Sequence, residues 1–204
     1  GARGFGHLQV RVELTVGGDL LVGVYATGEQ PTFFDRGDGL VVVGPGIAPA
    51  RLEVGGDLVL GVLGHARLEI EPRARVVVDG SVLSTVLPQE VDRSMMIRLA
   101  DPAALGTPGG DDPVLLASGG VQLPPLEVRL DDGFVPEIGD GWVLAEAGGD
   151  VSVESLALPV LPAGLAWLVS DAPGRLLVSV VDGGGPPATD LDGDGLVGLA
   201  DLVL

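Results

Sequence analysis

The chain of 204 residues contains no cysteine, no lysine and no asparagine. Without cysteine, neither a disulfide nor a thiolate-ligated metal site can form. Without lysine there is no Ser–Lys catalytic pair, and without asparagine N-glycosylation is excluded. All eleven basic residues are arginine. Lysine and asparagine share A/T-rich codons, so their joint absence points to a GC-rich genome. Imidazole is scarce too: His7 and His65 are the only candidate bases of that type. No G-x-S-x-G elbow, phosphate-binding loop or dinucleotide fingerprint is present. The expectation is a protein that is not an enzyme. A carbohydrate-active enzyme working through paired carboxylates is the less favoured alternative.

Positive charge is also in short supply. Eleven basic residues face 29 acidic ones, giving a formal charge of −18. Such a surface repels nucleic acid and anionic lipid and attracts cations. Long apolar runs are missing as well. The most apolar stretch, "LALPVLPAGLAWLV", is interrupted by Pro159, Pro162 and Gly164, so no membrane span is expected. "GARGFGHLQV" has no signal-peptide pattern and opens inside a strand pattern, as expected of a processed form.

What is abundant is glycine (34), proline (16) and a hydrophobic fraction of 46% dominated by Val and Leu. Glycine and proline then read as punctuation between short strands. In "LQVRVEL", Leu8, Val10, Val12 and Leu14 share one face, and Gln9, Arg11 and Glu13 share the other. "RLEIE" and "LEVRL" alternate in the same way. Period two is the mark of a half-buried strand. No amphipathic helix is evident before residue 195.

The chain also echoes itself. "LTVGGDLLVGV" (Leu14–Val24) matches "LEVGGDLVLGV" (Leu52–Val62) at eight of eleven positions, 38 residues apart. Each copy reads strand, Gly-Gly-Asp turn, strand. The glycines are expected to supply positive φ, and the aspartate to bond its own backbone. Repeated hairpins and stacked rungs of a solenoid both fit two copies. The alternation favours sheets with one solvated face, hence an all-β fold of antiparallel β-sandwich or jelly-roll type, with a short β-solenoid as the alternative. The expected division is a β-rich unit over 1–90 with the Gly-Gly-Asp repeats and a second β-rich unit over 91–182. A Gly/Pro linker over 183–189 and an acidic tail over 190–204 follow.

The second half carries "LEVRLDDGFVPEIGDGWVLAEA" followed by "LALPVLPAGLAWLV". These stretches, within roughly Ser94 to Val181, resemble a β-rich module at the C-terminal ends of large secreted proteins of planctomycetes and similar bacteria. The resemblance implies a surface location rather than an activity. Physically the motifs read as structure. Phe134 and Pro136 would pin a turn before Gly139, and Trp142 and Trp167 would anchor the core, a sugar-binding platform being the alternative for the two rings.

The tail, "TDLDGDGLVGLADLVL", has the spacing of a twelve-residue calcium loop. Asp190, Asp192 and Asp194 take the first, third and fifth positions, and Gly195 permits the sharp turn at the sixth. Leu196 would offer its backbone carbonyl at the seventh, and Val197 is the aliphatic plug. Gly198 leaves room for a water at the ninth, and Asp201 closes the loop at the twelfth. Ca²⁺ is a hard cation seeking about six to eight oxygens, which this set can converge on. Asp35 with Asp38, Asp111 with Asp112, and Asp131 with Asp132 are further acidic places without complete spacing; they read as turn residues.

Aspartate at the twelfth position makes the loop resemble a dockerin type I repeat, with a short following helix. That family implies calcium and a cohesin partner. Here one repeat is present, and "LADLVL" holds about one helical turn, too short to be stable alone. The favoured expectation is a secreted, calcium-binding structural protein that self-assembles as a homo-oligomer or polymer, a filament, tube or layer outside the cell or on its surface. The alternative is a surface protein tethered to a cohesin-type partner.

Overall fold

A computed structural model describes residues 5–23, 38–44, 49–61, 64–84, 92–104, 107–108 and 110–183. Among these, every regular element is a strand. The strands recur in threes. The first coil holds β1 (Phe5–Val10), β2 (Glu13–Val16) and β3 (Leu20–Val22). The second holds β4 (Asp38–Val43), β5 (Ala50–Val54) and β6 (Leu58–Leu60). The third holds β7 (Ala66–Ile70), β8 (Ala74–Val78) and β9 (Val82–Ser84). The fourth holds β10 (Arg93–Leu99), β11 (Leu115–Ala117) and β12 (Val121–Leu123). The fifth holds β13 (Leu126–Leu130), β14 (Gly141–Ala147) and β15 (Val151–Val153). After them come β16 (Leu156–Ala157), β17 (Leu165–Ala172) and β18 (Arg175–Asp182).

From β1 to β13, each strand pairs in parallel with the strand three places on. This gives three sheets, β1-β4-β7-β10-β13-β16, β2-β5-β8-β11-β14 and β3-β6-β9-β12-β15. The protein is a three-sided parallel β-solenoid. At its C-terminal end β18 pairs antiparallel with β14, and β17 pairs antiparallel with β18, so this hairpin closes the edge of the second sheet.

The expected antiparallel sandwich or jelly roll is thereby corrected, and the solenoid alternative describes the fold. The reason is physical. Parallel sheets usually read as continuous apolar runs because helices cover both faces. In a solenoid the coil interior covers one face and water the other, so parallel strands alternate too. The calcium loop and its short helix lie outside the described residues.

The register stacks like upon like. Leu8, Val41, Leu68, Met95 and Leu126 form one inward column of the first sheet. Leu14, Leu52, Val76, Leu115 and Ala145 form another in the second. Leu20, Leu58, Val82, Val121 and Val151 form a third. From the second to the fourth coil these side chains are fully buried. Burying each stabilises the fold by roughly 1.5–3 kcal/mol. Outward positions two apart share a face, and there Arg51 pairs with Glu53 at 2.7 Å, Arg67 with Glu69 at 2.6 Å and Arg129 with Glu127 at 2.7 Å. Such exposed pairs add little stability individually but keep the outer faces soluble. Among the described residues Ser84 is the one buried polar residue; it takes the place after Leu60 and accepts a 2.8 Å hydrogen bond from Arg93.

Candidate functional site

The corner between the second and third strand of every coil has three residues. They are Gly17-Gly18-Asp19, Gly55-Gly56-Asp57, Asp79-Gly80-Ser81, Ser118-Gly119-Gly120 and Gly148-Gly149-Asp150. Corners stack directly. Backbone bonds run from Gly56 N to Gly18 O (3.2 Å), Gly80 N to Gly56 O (3.0 Å), Gly119 N to Gly80 O (2.8 Å) and Gly149 N to Gly119 O (3.1 Å). Side chains extend the ladder: the Asp57 amide donates to Asp19 Oδ1 at 2.9 Å, and the Ser81 amide to Asp57 Oδ1 at 2.8 Å.

Two expectations about these corners are corrected. The paired glycines are not at positive φ. In the second, third and fourth coils the middle residue is glycine because the preceding coil leaves no room. A Cβ on Gly80 would lie 2.8 Å from Gly56 O and run into the Asp57 carboxylate. A Cβ on Gly56 or Gly119 would meet Asp19 Oδ1 or Ser81 Oγ in the same way. Nor do Asp19 and Asp57 bond their own backbone; each accepts from the following coil.

Trp142 is the largest fully buried side chain. Its Nε1–H donates to Ala100 O at 3.1 Å, and Phe134 meets the ring edge-on at 6.0 Å. Half-buried Trp167 packs 6.1 Å away and donates from Nε1 to Pro159 O at 2.8 Å. Both indoles anchor the C-terminal end of the core, as expected, and Trp142 has no exposed face on which a sugar could stack.

The six residues expected to hold calcium, Asp190, Asp192, Asp194, Leu196, Gly198 and Asp201, lie outside the described residues, as does Asp35. Among the described residues no three of His, Cys, Asp and Glu converge as a metal-holding group. Asp112 pairs with Arg75, and Asp111 lies 3.4 Å from Arg175. Asp131 holds a turn through its carbonyl, which accepts from Phe134 N at 3.0 Å. His65 stands at the corner before β7, where its Nδ1 accepts from Asp92 N at 3.2 Å. His7 lies in β1, remote in the stack from the third-coil Ser81 and Ser84.

A cavity of ≈ 10 Å³, about the size of one water, is lined by Glu71, Arg98, Thr107, Pro108 and Val114. The Glu71 carboxylate is 3.3 Å from Arg98 Nε. Burial raises its pKa above the usual range, and the Arg98 charge opposes the rise without cancelling it. The folded chain therefore binds this proton more readily than the unfolded chain, so its contribution to stability grows as pH falls from above the raised value towards the ordinary carboxylate range. Urea melts of the wild type and Glu71→Gln across that window are expected to show the wild type gaining stability relative to the variant as pH falls. A constant difference would remove the linkage. No helix among the described residues is long and apolar enough to cross a membrane. No family model matches this chain, and neither a curated protein nor a solved structure shows significant similarity to it.

Proposed function

We propose that the chain is a non-enzymatic structural protein that works outside the cell or on its surface and assembles with copies of itself. In this reading its acidic tail binds Ca²⁺. The observation that carries the reading is the stack itself, a rod of parallel coils in which corner sits on corner and column on column. Such a body gains length by repetition, and each coil contacts mainly its neighbours. A formal charge of −18 opposes association of like subunits, and a divalent cation held by the tail would relieve part of that repulsion. The Asp-x-Asp-x-Asp-Gly spacing of 190–195, with Asp201 closing, supplies hard oxygen donors for that cation.

The test is negative-stain electron microscopy and light scattering of the protein with calcium and after EDTA. Calcium is expected to give ordered assemblies that disperse on chelation and re-form on calcium addition. Asp192→Asn combined with Asp194→Asn should abolish the response while leaving the solenoid folded by circular dichroism. Particles of unchanged size in calcium and EDTA would overturn the reading.

A further inference from the structure

The two ends of the solenoid are finished differently. At the C-terminal end the β17–β18 hairpin closes the second sheet. Its turn also reaches the last corner, with Ala147 N donating to Gly174 O at 2.8 Å. At the N-terminal end β1, β2 and β3 are the terminal strands of their sheets and have a described partner on one side only. Leu8, Leu14, Val16 and Leu20 are inward residues of this first coil, yet they are only partly buried, whereas their column partners Leu52, Val54, Leu58 and Val41 are at most 3% exposed.

Gly18 carries the argument further. In the next three coils the middle corner glycine is crowded by the coil before it, through its backbone and a polar corner side chain: Asp19 above Gly56, Asp57 above Gly80, Ser81 above Gly119; in the fifth, Gly149 meets the preceding backbone alone, at 3.4 Å. Among the described residues nothing lies within 4 Å of a Cβ placed on Gly18, and its φ is not in the left-handed region. Neither space nor backbone conformation within the described stack calls for glycine there, but a polar corner side chain on a coil above it would.

We propose that the first coil is the seat of one further parallel coil of the same build, an N-terminal extension of this solenoid, whose three-residue corner ends in Asp, Asn or Ser. That side chain would accept the Asp19 amide, as Asp19 accepts the amide of Asp57. Register names the other donors. Arg51 and Gly55 give their amides to the first coil, so the matching amides of Glu13 and Gly17, with Thr15 between them, point to the open side. A second copy stacked tail-on does not fit this seat, because its own hairpin covers the second-sheet edge it would need to present. Two copies meeting head to head would pair antiparallel and put no corner in register. The proposal rests on the reading of the protein as a repeating structural stack but not on calcium.

The test extends the full chain upstream of Gly1 with a copy of its own residues 38–65, whose corner is Gly55-Gly56-Asp57. Hydrogen exchange of the Glu13, Thr15, Gly18 and Asp19 amides should slow at least about tenfold, and the melting temperature should rise by about 4 °C or more for a chain of this size. Gly18→Ala should leave the original chain unchanged but cancel most of the gain in the extended one. An Asp→Ala change at the corner of the added coil should speed exchange of the Asp19 amide alone. Unchanged exchange in the extended chain, or a Gly18→Ala effect equal in both chains, would overturn the proposal. Neither readout involves calcium or particle size, so failure here is distinct from failure of the assembly reading.

Discussion

Replacing Trp142 by alanine is expected to lower stability by about 3–5 kcal/mol, the largest single loss among the substitutions considered. The indole is fully buried and fills the core where the parallel stack meets the antiparallel hairpin. Three losses coincide. Its apolar surface leaves a cavity, the edge-on contact with Phe134 and the tilted contact with Trp167 disappear, and Ala100 O loses the Nε1–H that satisfies it. The hairpin closes the core around this ring, so exchange should quicken first in β17 and β18. Urea melts monitored by circular dichroism give the size of the loss, and hydrogen exchange gives its place. A loss under 1 kcal/mol would mean that the indole is not the anchor of this end. Trp142→Phe keeps most of the volume and forfeits the hydrogen bond, so it separates the two contributions.

Gly80→Ala is expected to cost about 1–3 kcal/mol, as forced overpacking does. Gly18→Ala in the same chain should fall within about 0.5 kcal/mol of neutral, as surface changes usually do. The two residues occupy the equivalent position of the corner in the first and third coils and differ in what the coil before them places there. A methyl at Gly80 would meet the Gly56 carbonyl at 2.8 Å and the Asp57 carboxylate; at Gly18 it would meet nothing within 4 Å. Asp57 can rotate away, but the Gly56 backbone is tied to the ladder by Gly80 N itself, so the corner must open. Equal effects at the two positions would show that corner spacing is looser than this geometry requires. Thermal melts of the two single variants decide the point.

Most strands and their inward faces were legible in the sequence because period two reports a strand with one face buried; "LQVRVEL" is the exception, since a corner at Arg11-Val12 divides it into two strands and leaves Val12 65% exposed. "RLEIE" and "LEVRL" are found where alternation puts them, in β7 and β13. Their parallel pairing was not legible, since alternation records which face is wet and says nothing of strand direction. The echo at Leu14 and Leu52 marked two coils, and the structure places them directly upon each other. Of the other three corners, Asp79-Gly80-Ser81 and Ser118-Gly119-Gly120 share only the middle glycine, Gly148-Gly149-Asp150 repeats the triplet between strands that do not match the first two copies, and spacing varies. The step from Asp19 to Asp57 is 38 residues and from Asp57 to Ser81 only 24. Additions at the other corners change coil length without disturbing register, which hides a period from a search at fixed spacing. The side-chain ladder had a signal in hindsight: an Asp or Ser placed just after a glycine and just before an apolar strand, at Asp19, Asp57, Ser81 and Asp150. The tail was the clearest motif in the chain, and its residues fall outside those the structure describes.

The unequal finish of the two ends has a mechanical consequence. Among the described residues the first coil is held by one neighbour, so under tension applied at the N-terminal side the rod should give way there and pay out chain coil by coil, each release leaving the next coil as the new exposed end. Tension applied at the C-terminal side first meets β18 lying along β14 over the length from Gly141 to Glu146, with β17 braced behind it. Along the strand direction those bonds are loaded together in shear rather than one at a time. The molecule is thus a ratchet under load, compliant from one end and stiff from the other.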